Sequence, residues 1–204
     1  NGMIQGLVFD LGGVVFGFDF ERFYARIMHH GQQTVDRAHL ERLVEARHET
    51  LEKGKIDFDE YYRFFLRSAA LDISREEFAR AWNSIFFEKP ETIALIRRID
   101  GVKKYLLSNT DVSHIGWAKQ RFPEAMGLFE RCFYSFDIGA LKPEAAVFRH
   151  VEEATGLGGQ ELALIDDLFE NTAGARRAGW HAVRFETAEK LETELRALGI
   201  AFAS

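Results

Sequence analysis

The chain has 204 residues, 47% of them apolar and 28% charged, enough for one substantial core or a core with a small second domain. Its 26 lysines and arginines stand against 32 aspartates and glutamates, a formal net charge of −6, so the basic footprint of a nucleic-acid binder is missing and no nucleic-acid partner is expected. The single cysteine, Cys132, rules out an internal disulfide and a cysteine zinc cluster, and no stretch has the length or apolarity of a membrane span or a signal peptide, so the expected setting is the cytoplasm, with no membrane partner.

Asn1-Gly2, ahead of Met3, reads as a remnant of expression and is left out of the fold reading. Leu7-Val8-Phe9 is a short continuous apolar run, as a strand covered on both faces requires, and it delivers Asp10 into the turn Gly12-Gly13. In open parallel sheets ligands sit just beyond such strand ends. Asp10 is therefore expected at the active edge, and glycines there let the backbone approach an ion or a phosphate.

From about Asp19 to Phe87 the chain reads as successive amphipathic helices with no strand among them. Phe20, Phe23, Tyr24, Ile27 and Met28 recur at helical spacing, as do Phe58, Tyr61, Tyr62, Phe65 and Leu66, then Phe78, Ala81, Trp82, Ile85 and Phe86. Leu40, Leu43, Val44 and Leu51 form a weaker stripe. Asp57 with Glu60 and Ser74 with Glu77 have capping-box spacing, and Gly31 and Gly54 suit helix ends. The aromatic stripes are assigned to packing.

Beyond Pro90 helices alternate with short apolar strands, the pattern of a parallel sheet. Pro90 opens a helix ended by Gly101, and Tyr105-Leu106-Leu107 is a buried strand that ends in Ser108-Asn109-Thr110-Asp111. A helix from about Val112 to Phe122 stops at Pro123, and Cys132-Phe133-Tyr134 is a strand. Pro143 opens a helix to about Thr155, capped by Gly156. Leu162 to Ile165 is a strand ending in Asp166-Asp167; a helix over 170–178, a strand over 181–185 and a helix over 187–198 complete the chain.

Strands of a parallel sheet all end on the same side, so Asp10, Ser108-Asn109, Asp166-Asp167 and Lys142 converge on one edge. Two or three carboxylates there repel one another and call for a cation. An all-oxygen set without histidine or cysteine suits Mg²⁺. A hydroxyl, an amide and a lysine around the same point suit phosphate oxygens.

On these residues the chain resembles the haloacid dehalogenase-like hydrolase superfamily. Phe9-Asp10-Leu11-Gly12-Gly13-Val14, Leu107-Ser108-Asn109-Thr110, Leu141-Lys142-Pro143-Glu144 and Ile165-Asp166-Asp167 with Asn171 match its four motifs in order, nearest to bacterial sugar-phosphate phosphatases of the glucose-1-phosphate phosphatase type. The resemblance implies a Rossmann-like, doubly wound α/β core over 1–16 and 89–204, with a small helical cap over 17–88. It also implies an Mg²⁺-dependent phosphatase acting on a small phosphomonoester such as a sugar phosphate, as a monomer or homodimer. Asp10 would be the nucleophile that forms an aspartyl phosphate. The Gly12 carbonyl and Asp167 would hold the metal with Asp10, and Asp166 would be either a ligand or a partner of one. Ser108 and the Asn109 backbone would bind phosphate oxygens, and Lys142 would neutralise charge and orient Asp10.

The chain departs from that pattern at Gly12. Most phosphatases of the superfamily carry an aspartate two residues after the nucleophile, which protonates the leaving group and then activates water. Such a group is worth ~10²–10⁴-fold. Asp19, His29, His30 and His48 are the candidates to replace it. Two rival readings exist: a metal-independent 2-haloacid dehalogenase, whose chemistry the Asp166-Asp167 pair would hinder by setting negative charge beside Asp10, and a catalytically degenerate binding protein, favoured by Gly12 alone.

Overall fold

The computed structural model describes residues 3–31 and 35–203; Asn1 and Gly2 lie outside the described residues. β1 (Gly6–Phe9) runs through the glycine turn into β2 (Phe16–Phe18), and four helices follow: α1 (Glu21–Ile27), α2 (Arg37–Glu52), α3 (Phe58–Ser68) and α4 (Arg75–Asn83). β3 (Phe86–Glu88) leads to α5 (Pro90–Arg98), β4 (Ile99–Asp100), β5 (Lys103–Ser108), α6 (Val112–Arg121), α7 (Pro123–Met126) and β6 (Arg131–Tyr134). The chain ends through α8 (Ser135–Ile138), α9 (Ala145–Thr155), β7 (Leu162–Asp166), α10 (Phe169–Arg177), β8 (His181–Arg184), α11 (Ala188–Ala197) and β9 (Ala201–Phe202).

Period-two alternation makes the main sheet doubly covered. Leu7 and Phe9 face one side together with Leu106, Ala163, Ile165 and Val183, where Ile93, Ile96, Ile115, Leu191 and Leu195 from α5, α6 and α11 cover them. Val8, Tyr105, Leu107, Leu162 and Leu164 face the other side, under Val147, Phe148 and Val151 of α9 and Ala175 of α10. All five strands are parallel in the order β6-β5-β1-β7-β8. β1 is the middle strand; the chain builds outward on one side through β5 to β6 and then crosses back to β7 on the other. That is the switch point at which open α/β sheets form a crevice. The doubly wound α/β fold is as expected.

Helices α1–α4 enclose a separate apolar cluster in which Phe23, Tyr61, Phe65, Phe78 and Trp82 are fully buried. Phe23 meets Trp82 edge-on at 5.0 Å and Phe78 at 5.7 Å, contacts worth ~0.5–1.5 kcal/mol beyond their buried area. The aromatic stripes are core. Both capping boxes form: Asp57 accepts from the Glu60 amide at 2.7 Å, and Ser74 from the Glu77 amide at 3.2 Å.

Several sequence expectations need correction. The segment expected to lack strands is bounded by two, because β2 and β3 pair antiparallel where the chain leaves and re-enters the core, with Phe18 opposite Phe86. Phe86 therefore lies on a strand; α4 stops at Asn83, where the Ser84 hydroxyl bonds the Ala81 carbonyl. α1 ends at Ile27, and Met28 lies in a 3₁₀ turn. Pro143 does not open α9: the Glu144 amide closes a turn on the Leu141 carbonyl at 2.7 Å, and the helix starts at Ala145. Pro123 starts the short helix α7 as well as ending α6. The pair β4–β9 and the single-turn α8 carry too few residues for a periodic signal.

One buried seam fastens α4 to α6. Asp111, fully buried, caps α6 through the Ser113 and His114 amides at 2.8 and 3.0 Å, accepts from Trp82 Nε1 at 2.9 Å and lies 3.0 Å from His114 Nδ1. His114 stacks on Trp82 at 4.9 Å. Burial alone would raise the Asp111 carboxyl, but His114 and these donors outweigh it and hold it down at about 2. Asp111→Ala strands several buried donors and should cost ~3–5 kcal/mol in urea denaturation near neutral pH. The folded value lies below 3.8, so Asp111 stabilises the fold above that pH, and the gap between parent and mutant should narrow as pH falls toward 2.

Candidate active site

Asp10 follows β1 directly, and its amide donates to the Ile165 carbonyl at 2.9 Å, which ties the β1 and β7 ends together. Its carboxylate accepts from the Leu11 amide at 2.7 Å and from Lys142 Nζ at 2.9 Å. Burial pushes the Asp10 carboxyl up to about 7, Lys142 opposing and Asp166 and Asp167 adding to the rise.

Lys142 is buried, with Nζ 2.9 Å from Asp10 and 2.6 Å from Asp166. Burial would lower its pKa, yet the two carboxylates outweigh it and raise the ammonium above its ordinary value. The Asn109 side chain clamps the backbone of this lysine on both sides: Nδ2 donates to the Lys142 carbonyl at 3.0 Å, and Oδ1 accepts from its amide at 2.9 Å. Asp166 is saturated. One oxygen accepts from the Leu168 amide at 2.9 Å and Asn171 Nδ2 at 3.0 Å, the other from Lys142 and, at 3.1 Å, Asn171.

Asp167 differs. It is half-buried, lines the cavity, and lies against Gly13, where a Cβ would come within 2.4 Å of its Oδ2. Gly13 also has φ +86°, a conformation that favours glycine. Burial and Asp166 raise the Asp167 carboxyl. Its oxygen and those of Asp10 and Asp166 lie within 4.8 Å of one another. The Gly12 carbonyl accepts no hydrogen bond among the described residues, and Lys89 Nζ steadies the adjacent Gly13 carbonyl at 2.8 Å. Ser108, at the β5 end, lines the same cavity beside Asn109 and Thr110.

The cavity measures about 250 Å³, at the small end for ligand pockets. Its floor is Asp10, Gly12, Ser108, Asn109, Lys142 and Asp167, and its walls are Phe18, Phe20, Ile85 and Phe86. His48 and Glu52, one helical turn apart on α2, project into it. All the expected site residues except Asp166 line this cavity, and Asp166 holds Lys142 and Asn171 behind it. The other acid/base candidates divide. Asp19 caps the first turn of α1 through the Glu21 amide at 2.9 Å. His29 and His30 line a separate depression with Arg26, Glu77 and Arg80. His48 does reach the cavity. Glu52 escaped the sequence reading, although its spacing of four from His48 on one helix face was the available signal.

A family model for haloacid dehalogenase-like hydrolases matches residues 4–179. The chain belongs to that hydrolase family. It is 25% identical over 210 residues to a D-ribitol-5-phosphate phosphatase of Bacteroides thetaiotaomicron, covering 95% of this chain and 97% of that protein. Among solved structures, a family enzyme of the same species in its magnesium complex superposes with a TM-score of 0.84 at 26% identity, over 96% of this chain and 100% of the other. Its complex with magnesium and inorganic phosphate gives 0.81, over 92% and 98%. The L-2-haloacid dehalogenase of Xanthobacter autotrophicus shares the fold at 0.66 and 16% identity, over 96% and 83%.

In this hydrolase the Lys142 loop rests on α10 through Gly174, where a Cβ would lie 2.5 Å from Pro143 Cβ and 3.2 Å from its Cα. Gly174→Ala should therefore cost ~1–3 kcal/mol through overpacking. Gly116→Ala, on an exposed face of α6 with nothing within 4 Å, should gain ~0.5–1 kcal/mol. Chemical denaturation of the two variants beside the parent checks both signs.

Proposed function

We propose that this hydrolase is a magnesium-dependent phosphatase of small phosphomonoesters, sugar or polyol phosphates among them, that works through an aspartyl phosphate on Asp10. The observation that carries the reading is the crowding of three carboxylates, Asp10, Asp166 and Asp167, whose oxygens lie within 4.8 Å of one another, with Lys142 paired to two of them. This concentration of negative charge on an all-oxygen donor set suits a hard divalent cation. The B. thetaiotaomicron relatives, a D-ribitol-5-phosphate phosphatase and an enzyme complexed with magnesium and inorganic phosphate, support the same reading.

The donors fit the ion. Asp10, Asp167 and the Gly12 carbonyl would hold it, and the saturated Asp166 would orient Lys142 instead of ligating. Bound there, the cation supplies Lewis-acid neutralisation of phosphoryl charge. Asp10 attacks phosphorus, Lys142 fixes the attacking carboxylate, and the Ser108 hydroxyl with the Asn109 backbone receives phosphoryl oxygens. Residues 17–88 act as the cap over a core of 1–16 and 89–204, so the cap's Phe20, His48 and Glu52 shape the leaving-group side. Asp167 beside Asp10 weighs against carbon–halogen hydrolysis, for which extra negative charge is a hindrance.

Phosphate release from a panel of sugar and polyol phosphates should require Mg²⁺ and stop with EDTA. Undiminished turnover in metal-free buffer would overturn the assignment of Asp167. Asp10→Asn, nearly isosteric and without a nucleophilic carboxylate, should lose more than ~10³-fold in turnover and keep its far-ultraviolet circular dichroism. A mutant within tenfold of the parent defeats the aspartyl-phosphate route.

A further inference from the structure

Expelling an alkoxide from phosphorus leaves negative charge on an oxygen that holds it poorly, so a phosphatase of sugar or polyol phosphates needs a proton donor beside that oxygen. Position 12 offers none. A Cβ on Gly12 would meet the Phe18 ring at 3.2 and 3.4 Å, so the space next to the turn is filled by an apolar wall. Beyond Asp10, Lys142 and Asp167, the titratable groups lining the cavity are His48, Glu52 and His114. His114 is committed to Asp111 at 3.0 Å, the Trp82 carbonyl at 3.2 Å and the stack on Trp82. His48 sits edge-on to Phe20 at 5.8 Å and to Trp82 at 5.4 Å, and burial pushes it down to about 4, so at neutral pH it has no acidic proton to give. Glu52 remains.

We propose that Glu52, reaching into the cavity from the last turn of α2, is the general acid and then the general base of this hydrolase. The inference rests on the phosphatase reading above. As Asp10 Oδ forms its bond to phosphorus, the bond from phosphorus to the leaving oxygen breaks, and that oxygen takes the proton of the Glu52 carboxyl and departs as an alcohol. Glu52, now a carboxylate, takes a proton from water as the water oxygen attacks phosphorus. The bond from phosphorus to Asp10 then breaks, which releases inorganic phosphate, frees the Asp10 carboxylate and restores protonated Glu52.

The surroundings of Glu52 place it at the cavity. Its Oε1 lies 3.5 Å from His48 Nε2, one turn back. The next residue, Lys53, bonds Glu49 at 2.8 Å and Glu144 at 3.0 Å, two residues beyond Lys142. Gly54 follows at φ +64° so close to the Phe136 carbonyl that a Cβ would lie 2.4 Å from it. The end of α2 is thereby pinned to the loop that carries Lys142. Protonation fits the role: burial first, then the charges of Asp111 and Asp10, push the Glu52 carboxyl up to about 8, with Lys142 opposing.

The test is kcat/KM, with Mg²⁺, across substituted phenyl phosphates and a polyol phosphate for the parent, Glu52→Gln and Glu52→Asp. The parent should depend weakly on leaving-group pKa. Glu52→Gln should depend on it steeply, losing ~10²–10⁴-fold on the polyol phosphate and under about tenfold on 4-nitrophenyl phosphate. Glu52→Asp should recover part of the polyol-phosphate loss by returning an acid. A steep dependence in the parent, or equal losses of Glu52→Gln on both substrate classes, overturns the role of Glu52 and leaves the phosphatase reading standing. A parent that releases phosphate from no substrate overturns the phosphatase reading itself, and the role of Glu52 with it.

Discussion

A buried ammonium between two carboxylates is the constraint on which the rest of the site depends. Lys142 is 4% exposed, and an isolated cation in such a place would lose its proton or the fold. Asp10 and Asp166 on adjacent strand ends keep it charged, and in return it keeps the two carboxylates from driving the strands apart. Breaking a pair of this kind is far costlier than its net worth, because the surviving charge is left uncompensated. The secondary contacts therefore all serve to hold the geometry: Asn109 grips the lysine backbone, Gly174 makes room for Pro143, and Asn171 with the Leu168 amide fills the remaining lone pairs of Asp166. With Asp166 so occupied, Asp167 is the member of the acidic pair that lines the cavity.

The helical segment reaches the core through contacts of unequal strength. At the β2–β3 ribbon, Gly17 lies so close to the Phe87 ring that a Cβ would come within 2.2 Å of it, and Lys89 reaches back to the Gly13 carbonyl. The Asp111 seam is dry and saturated. The Lys53–Glu144 pair is partly open to solvent, and such pairs are worth ~0–1 kcal/mol. The α2 end does not rest on that pair alone, because Gly54 also packs against the Phe136 backbone.

The sheet was legible because its strands are continuous apolar runs and its helices carry strong stripes and caps, and the convergence of Asp10, Ser108, Lys142 and Asp167 followed from parallel topology alone. Short elements were not legible. Three residues such as Phe86-Phe87-Glu88 fit a helical stripe as well as a strand, and only the pairing of Phe18 with Phe86 decides between them. The partition of labour inside the acidic pair was hidden too. Asp166 and Asp167 are the same residue type in adjacent positions, and only their hydrogen bonds distinguish the saturated from the free. Asn109 was expected to act through its backbone, whereas its side chain turns out to clamp Lys142, a contact 33 residues away in sequence that no local pattern encodes.

Gly12 and Phe18 belong to one arrangement. A carboxylate at position 12 would add a further acidic group beside Asp10, Asp166 and Asp167, and its Cβ would press on the Phe18 ring at 3.2 Å. With glycine there, the Phe18 ring lies against the turn and puts apolar surface on that flank of the cavity. Burial raises the Glu52 carboxyl, which reaches the same cavity from α2. A further acidic group adds least charge to this cavity where burial keeps its carboxyl raised, and Glu52 at the end of α2 is so placed. A glycine in the turn and a raised carboxyl on α2 both keep down the negative charge that gathers beside Asp10, Asp166 and Asp167.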